Sequence, residues 1–305
     1  VVNPRPFGAR LTEAVAARGP LCVGIDPHPG LLRDWGLSVD VAGLERFAMT
    51  CVAALAEDIA VLKPQSAFFE AFGSAGVAVL ERVIAEARQA GTVVLLDAKR
   101  GDIGSTMAAY ASAYLTDGSP LAADAVTLSP YLGFGSLEPA LTAARASGRG
   151  VFVLAATSNP EAGELQGALV PADPPGPVAA PTSPGRAGPA GRSVAQSVVA
   201  AAAARNAGLT PLGDVGVVIG ATLGRNGGDA PEFDLTGLNG PILAPGFGAQ
   251  GATVADLARL FGDNLRHVLP TSSRDVLRHG PNEAALRDAA LRTRDEVSAL
   301  REGHG

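Results

Sequence analysis

The sequence predicts a single-domain (β/α)8 TIM barrel. Eight short apolar runs recur along the 305 residues, and Ala-rich stretches with helical spacing separate them. The runs are continuous rather than alternating, which is how parallel strands read when both faces are buried. Eight such units suit one closed barrel covering residues 1–305, with a doubly wound open sheet as the alternative α/β arrangement.

In chain order the strand candidates are LCVGID (21–26), IAVLK (59–63), TVVLLDAK (92–99), ADAVTLS (123–129), VFVLAATS (151–158), VGVVIGAT (215–222), PILAPG (241–246) and RHVLPTSS (266–273). The stretch PNEAALRDAALRTRDEVSALRE reads as the last helix. Leu286, Ala290, Thr293, Val297 and Leu300 recur there at spacings of four and three, and Pro281 suits a first turn. One segment breaks the rhythm: PADPPGPVAAPTSPGRAGPAG (171–191) holds seven of the chain's 23 prolines and has neither period. It is expected to be a mobile surface loop within a Pro/Gly/Ala-rich insertion at about 165–192, a Pro-rich partner-binding motif being the other reading.

Hydrophobic residues make up 47% of the chain, enough for a sizeable core. No apolar run reaches the roughly 18 to 20 residues of a membrane span, and the N-terminal VVNPRPFGARLTEAVAARG lacks signal-peptide organisation. A cytoplasmic, membrane-free protein is the expectation. A net charge of −6 and a pI near 5.3 argue against a nucleic-acid partner. Cys22 and Cys51 are expected to be buried thiols rather than a disulfide. The four histidines, His28, His267, His279 and His304, show no ligand spacing, so no metal is expected. His28 reads as a turn residue.

Lysine is rare. Of 24 basic residues only Lys63 and Lys99 are lysine, and both fall at the ends of strand-like runs. A coding bias toward Arg would leave two by accident. The functional reading is that a compact, deprotonatable ammonium is needed, which guanidinium cannot replace.

In a barrel, functional side chains come from the C-terminal ends of the strands. Asp26 closes the first run, Lys63 the second, and Asp97 with Lys99 the third. Thr127 and Ser129 close the fourth, Ser158 and Asn159 the fifth, and Thr222 the sixth. Gln250 and Arg274 follow the seventh and eighth. Each alone reads as a cap or turn residue; convergence on one rim points to a site. Asp97 and Lys99, two apart on a strand, face one side about 6.5 to 7 Å apart. Asp102 lies beyond the turn and suits a helix N-cap, and Arg100 reads as solvated or ion-paired.

DAKRGDIGST matches the D-x-K-x-x-D-I-x-x-T signature of the orotidine 5′-phosphate decarboxylases. GIDPHP, VLKPQSAFFE, TLSPYLG, ATSNP, APGFGAQG and SSR also match in order, so the chain resembles the bacterial type 2 branch over about residues 21–278. The resemblance implies a cofactor-independent lyase of pyrimidine biosynthesis that turns orotidine 5′-monophosphate into uridine 5′-monophosphate and CO2. It implies a charge network of Lys63, Asp97, Lys99 and Asp102. Asp102, Ile103 and Thr106 would reach into the partner's site of a homodimer. Asp26 and Thr106 would bind ribose hydroxyls, with Thr127 and Asn159 also at the substrate, and Ser158 would read the pyrimidine edge. Gln250 and Arg274 would hold the phosphate with backbone amides of GFGAQG, including Gly248 and Gly251. An Arg plus such amides suffices for a monophosphate, and no Walker-type loop is present for a triphosphate. The insertion is longer than this family's usual connection.

Decarboxylation leaves a carbanion, and the sequence offers no metal or covalent electron sink for it. Lys99 is therefore the candidate for both charge stabilisation and protonation. A related barrel acting on a keto-sugar phosphate with Mg²⁺ and a non-catalytic nucleotide-binding barrel or scaffold are the competing readings.

Overall fold

The computed structural model describes residues 4–170, 191–224, 232–248 and 251–302. A closed barrel of eight parallel strands forms in the order β1-β8-β7-β6-β5-β4-β3-β2. The strands are β1 (Cys22–Ile25), β2 (Val61–Pro64), β3 (Val93–Arg100), β4 (Ala125–Leu128), β5 (Gly150–Ala156), β6 (Val215–Ile219), β7 (Ile242–Pro245) and β8 (Val268–Ser272). Each falls on one of the eight apolar runs, with β2, β3 and β5 extending one residue beyond theirs. Neighbouring strands pair in parallel, with register shifts between β3 and β4 and between β5 and β6.

Helix α1 (Phe7–Arg18) precedes β1, and α2 (Val41–Leu55), α3 (Gly73–Gln89), α4 (Gly104–Leu115), α5 (Glu138–Ala146) and α6 (Val194–Asn206) join successive strands through β6. Helix α7 (Val254–Phe261) joins β7 to β8, and α8 (Glu283–Glu302) follows β8. Among the described residues no helix joins β6 to β7. The Gly-rich connection has no apolar period; Ala221, Leu235 and Leu238 are buried among its described residues.

A two-residue periodicity divides the core. On β3, Val94 and Leu96 face the helices, while Val93 and Leu95 point into the barrel. The interior set also holds Cys22, Val61, Ala125, Phe152, Val218, Leu243 and Leu269. Helix α1 closes the N-terminal end: Phe7, Leu11 and Ala14 join the same interior cluster. Phe7 meets Phe152 edge-on, with centroids 6.2 Å apart. Gly150 makes this approach feasible, because a Cβ there would lie 2.3 Å from the Phe7 ring.

Two helix starts differ from expectation. Helix α8 begins at Glu283, and Asn282 caps it by accepting from Ala285 N at 2.9 Å. Pro281 thus lies ahead of the cap rather than in the first turn. Leu286, Ala290 and Val297 are buried as the spacing predicted. Asp102 does not cap α4, whose N-cap is Ile103; its carboxylate accepts from Ile103 N at 2.8 Å instead.

The predicted loop at 171–191 lies outside the described residues except for Gly191. At its flanks, Leu169–Val170 pairs antiparallel with Arg192–Ser193. Cys22 and Cys51 are free and buried, and burial pushes the Cys22 thiol up to about 12.

Candidate active site

Continuing the interior rows upward from the apolar layer builds the site. Cys22 leads to Asp26, Val61 to Lys63 and Gln65, Leu95 to Asp97, Ala125 to Thr127, and Leu269 to Thr271 and Ser273. All of these upper residues line one cavity of about 250 Å³ at the C-terminal mouth. Barrel geometry thus converts a period of two into convergence, since every strand delivers its last inward side chain to the same place.

Asp97 is the hub. Its Oδ2 accepts from Lys63 Nζ at 3.0 Å and Gln65 Nε2 at 3.1 Å; its Oδ1 accepts from Lys99 Nζ at 2.6 Å and Thr127 Oγ1 at 2.8 Å. Thr127 Oγ1 in turn accepts from Lys99 N at 2.9 Å. Lys63 is sealed at 5% exposure, whereas 45% of the Lys99 side chain is open to the cavity mouth. One ammonium is therefore structural in position and the other is presented to a ligand.

Burial opposes the charged form of Asp97, but Lys63 and Lys99 outweigh it and hold the carboxyl well below its usual range. Burial likewise opposes the charge on Lys63, but Asp97 and then Asp26 outweigh it and push the ammonium above its usual value. Asp97 and Lys63 therefore stay ionised across neutral pH.

Lys99 does not reach Asp97 by regular strand alternation. Its φ of +49° is left-handed, and the β3–β4 register shifts between Leu96 and Arg100. A non-Gly residue in that region is uncommon and concentrates at functional sites. Gly101 follows, where a Cβ would lie 2.3 Å from Ser129 O, so the turn after β3 lies tight against the one after β4.

Asp26, Ser158 and Arg274 also line the cavity. Asp26 Oδ1 and Ser273 Oγ are buried with no hydrogen-bond partner in the protein. Buried unpartnered acceptors and hydroxyls are costly, and a ligand rich in hydroxyls would satisfy both.

Other expected residues are not brought in. Asp102, Ile103 and Thr106 lie past the turn, with Ile103 61% exposed, and none lines this chain's own cavity. Asn159 is held in its loop, accepting from Thr157 Oγ1 at 2.6 Å and donating to Glu161 at 2.9 Å. Gly248 N donates to Ala252 O at 3.0 Å and Gly251 N to Gly248 O at 2.6 Å, so these two amides close their own turn. Gly246 and Phe247 line the cavity instead. Thr222 does not line it, and Gln250 lies outside the described residues. Arg100 is ion-paired with Glu70 and sits over Tyr110 and Tyr114.

Gln65, Thr271 and Ser273 are residues the sequence reading missed; Gln65 lies two positions past the recognised Lys63, and Ser273 two past Thr271. His28 is both things at once. It precedes the short helix Pro29–Asp34, as a turn residue would, yet its ring lines the cavity and lies 4.1 Å from that of Phe68. Among the described residues, no group of three or more His, Cys, Asp or Glu is placed to hold a metal ion.

A parallel eight-stranded barrel with a hydrogen-bonded Lys–Asp–Lys cluster at its C-terminal mouth places the chain in the class of (β/α)8-barrel enzymes. The model of the orotidine 5′-phosphate decarboxylase / HUMPS family matches residues 19–175, and the chain belongs to that family. The orotidine 5′-phosphate decarboxylase of Streptomyces coelicolor is 60% identical over 96% of this chain and 97% of its own. A crystal structure from Streptomyces avermitilis, assigned to orotidine 5′-phosphate decarboxylase, matches with a TM-score of 0.86 and 57% identity over 98% of this chain and 97% of that one. The Leishmania donovani OMP decarboxylase structure matches with a TM-score of 0.69 and 30% identity over 97% of this chain and 99% of its own.

Proposed function

We propose that this chain decarboxylates orotidine 5′-monophosphate to uridine 5′-monophosphate and CO2, the last step of de novo UMP biosynthesis, using the Asp97-centred cluster and no cofactor. The observation that carries the mechanism is the pairing of a sealed Lys63 with an open Lys99 on one carboxylate. As the bond from the ring carbon C6 to CO2 breaks, its electron pair stays on C6. The Lys99 ammonium stabilises that charge and delivers a proton to the carbon, and solvent restores the ammonium. Asp97 aims Lys99 and keeps it charged, while Lys63 offsets the negative charge that Asp97 and the substrate bring together.

Asp26 and Ser273 offer acceptors and hydroxyls to the ribose, Ser158 to the pyrimidine edge, and Arg274 a guanidinium to the phosphate. Phosphate binding contributes through ordering of the closed site rather than through ground-state affinity alone. Arg274→Ala is expected to lower kcat/KM by about a hundredfold or more, the size of a lost charge-assisted contact. An unchanged kcat/KM removes Arg274 from the phosphate site.

We infer that the active form is a homodimer in which Asp102, Ile103 and Thr106 complete the neighbour's site. In support, Ile103 (61%), Tyr131 (75%) and Leu132 (52%) expose apolar surface beside the mouth, on the two turns that meet at Gly101 and Ser129. Such surface is suited to a second copy. Mixing inactive Asp102→Asn with inactive Lys99→Arg is then expected to restore activity, because one of the two sites in a mixed dimer carries neither change. No recovery under conditions that exchange subunits contradicts a shared site. A cytoplasmic location belongs to the same proposal; no described helix is long and apolar enough to cross a membrane.

A further inference from the structure

A second cavity, of about 550 Å³, lies at the opposite end of the barrel. Pro20, Pro211, Pro241 and His267, each just ahead of a barrel strand, place it at the N-terminal rim. Its inner wall is apolar, made by Leu11, Leu212 and Leu269 of the barrel interior. Its outer wall carries Arg266, His267 and Arg301, and among the described residues no acidic side chain lines it.

Arg301 is the telling group. Its guanidinium is partly buried and donates to Val268 O, and it makes no ion pair among the described residues. Burial lowers its pKa to about 10 from an ordinary 12.5, still far above neutrality, so it remains a cation. Arg266 Nε donates to His267 Nε2 at 3.3 Å, which places the imidazole proton on Nδ1. Burial, then Arg266 and Arg301, push His267 down to about 4, so it is neutral at pH 7. Arg294 packs over Gly19 at the cavity edge but is paired with Asp295. The wall therefore holds two guanidiniums without an ion pair among the described residues and a third nitrogen base held neutral by burial and, secondarily, by them. A partly buried charge without a counter-ion is costly, and the apolar inner wall would favour a ligand with an apolar body.

We propose that this cavity binds a small organic oxyanion, its head held by Arg301 and Arg266 and its aromatic or alkyl body set against Leu11, Leu212 and Leu269. The site is independent of the decarboxylase reading, since it shares no residue with the mouth of the barrel.

The test is NMR of the full chain labelled with ¹⁵N-histidine, the His267 signals being assigned from His267→Gln. Phenyl phosphate, benzoate, inorganic phosphate and benzyl alcohol are titrated at constant ionic strength in an Arg274→Ala background, which removes binding at the mouth. Phenyl phosphate or benzoate is expected to shift the His267 ring signals saturably and raise its pKa by about one unit, as a neighbouring anion must. Which of the two does so distinguishes a phosphate from a carboxylate head. Inorganic phosphate is expected to bind more weakly and benzyl alcohol not to move His267. Arg301→Gln, or the exposed Arg266→Gln if the first does not fold, is expected to weaken binding about tenfold or more, with decarboxylation unchanged in the otherwise wild-type chain. The proposal is overturned if neither organic anion moves His267, if benzyl alcohol moves it equally, or if the folded arginine variant binds as the parent does.

Discussion

Lys99→Arg is expected to lower kcat by about a thousandfold or more while leaving a folded protein. A positioned general acid contributes about 10² to 10⁴, and guanidinium, with its far higher pKa, is a poor donor. The substitution keeps the positive charge, so it separates protonation from electrostatic attraction. Geometry sharpens the test: Lys99 Nζ reaches Asp97 Oδ1 at 2.6 Å from a left-handed backbone, and a longer, planar head does not fit that short path. Lys99→Ala removes charge and donor together and should be slower still. Near-wild-type turnover by Lys99→Arg, with circular dichroism and oligomeric state unchanged, would remove the proton-donor role.

Asp97→Asn is expected to damage both activity and stability. The wild-type carboxylate takes hydrogen bonds from four groups and lies between two ammonium ions, one of them nearly inaccessible. Removing its charge leaves Lys63 buried with only Asp26 as a nearby anion. Breaking a buried pair in this way costs about 3 to 5 kcal/mol, which corresponds to a Tm lower by on the order of 10 °C. The pH dependence follows from sign. Because Asp97 has a depressed pKa in the folded state, its stabilisation is complete above the ordinary carboxylate range and fades as pH falls toward the folded value. Wild type and variant should therefore converge in acid and differ most at neutral pH. On the alkaline side, the raised Lys63 contributes fully below the ordinary ammonium pKa and is lost only as pH climbs through its higher folded value. A constant Tm difference from acid to neutral pH contradicts the assignment of this charge to Asp97.

The eight strands were legible because parallel strands buried on both faces cannot hide polar residues, so their runs stand out between helical stretches. The convergence of Asp26, Lys63, Asp97, Thr127, Ser158 and Arg274 followed from strand ends alone. The same two-residue spacing contained Gln65 and Ser273, which had been passed over because an amide and a hydroxyl carry less obvious chemistry than a charge. Asp97 and Lys99 do meet, although extended-strand geometry was the wrong reason: the chain turns left-handed at Lys99, and no propensity of lysine announces that. Gly248 and Gly251 show a different limit. A Gly-rich turn advertises free amides, but whether they face outward or close the turn on itself depends on hydrogen bonds several residues away. Asn159 is similar, claimed by Thr157 and Glu161 within its own loop. Asp102 and Thr106 lie past the turn after β3 and off this chain's own cavity, and the role proposed for them involves a second copy rather than a strand end.

The most direct test of the cluster as the whole catalytic apparatus is the absorbance change with orotidine 5′-monophosphate, measured on EDTA-dialysed protein with and without added Mg²⁺. Full turnover that neither EDTA nor Mg²⁺ alters is the expected result. Turnover that EDTA abolishes and Mg²⁺ restores, or tight nucleotide binding without CO2 release, would contradict it.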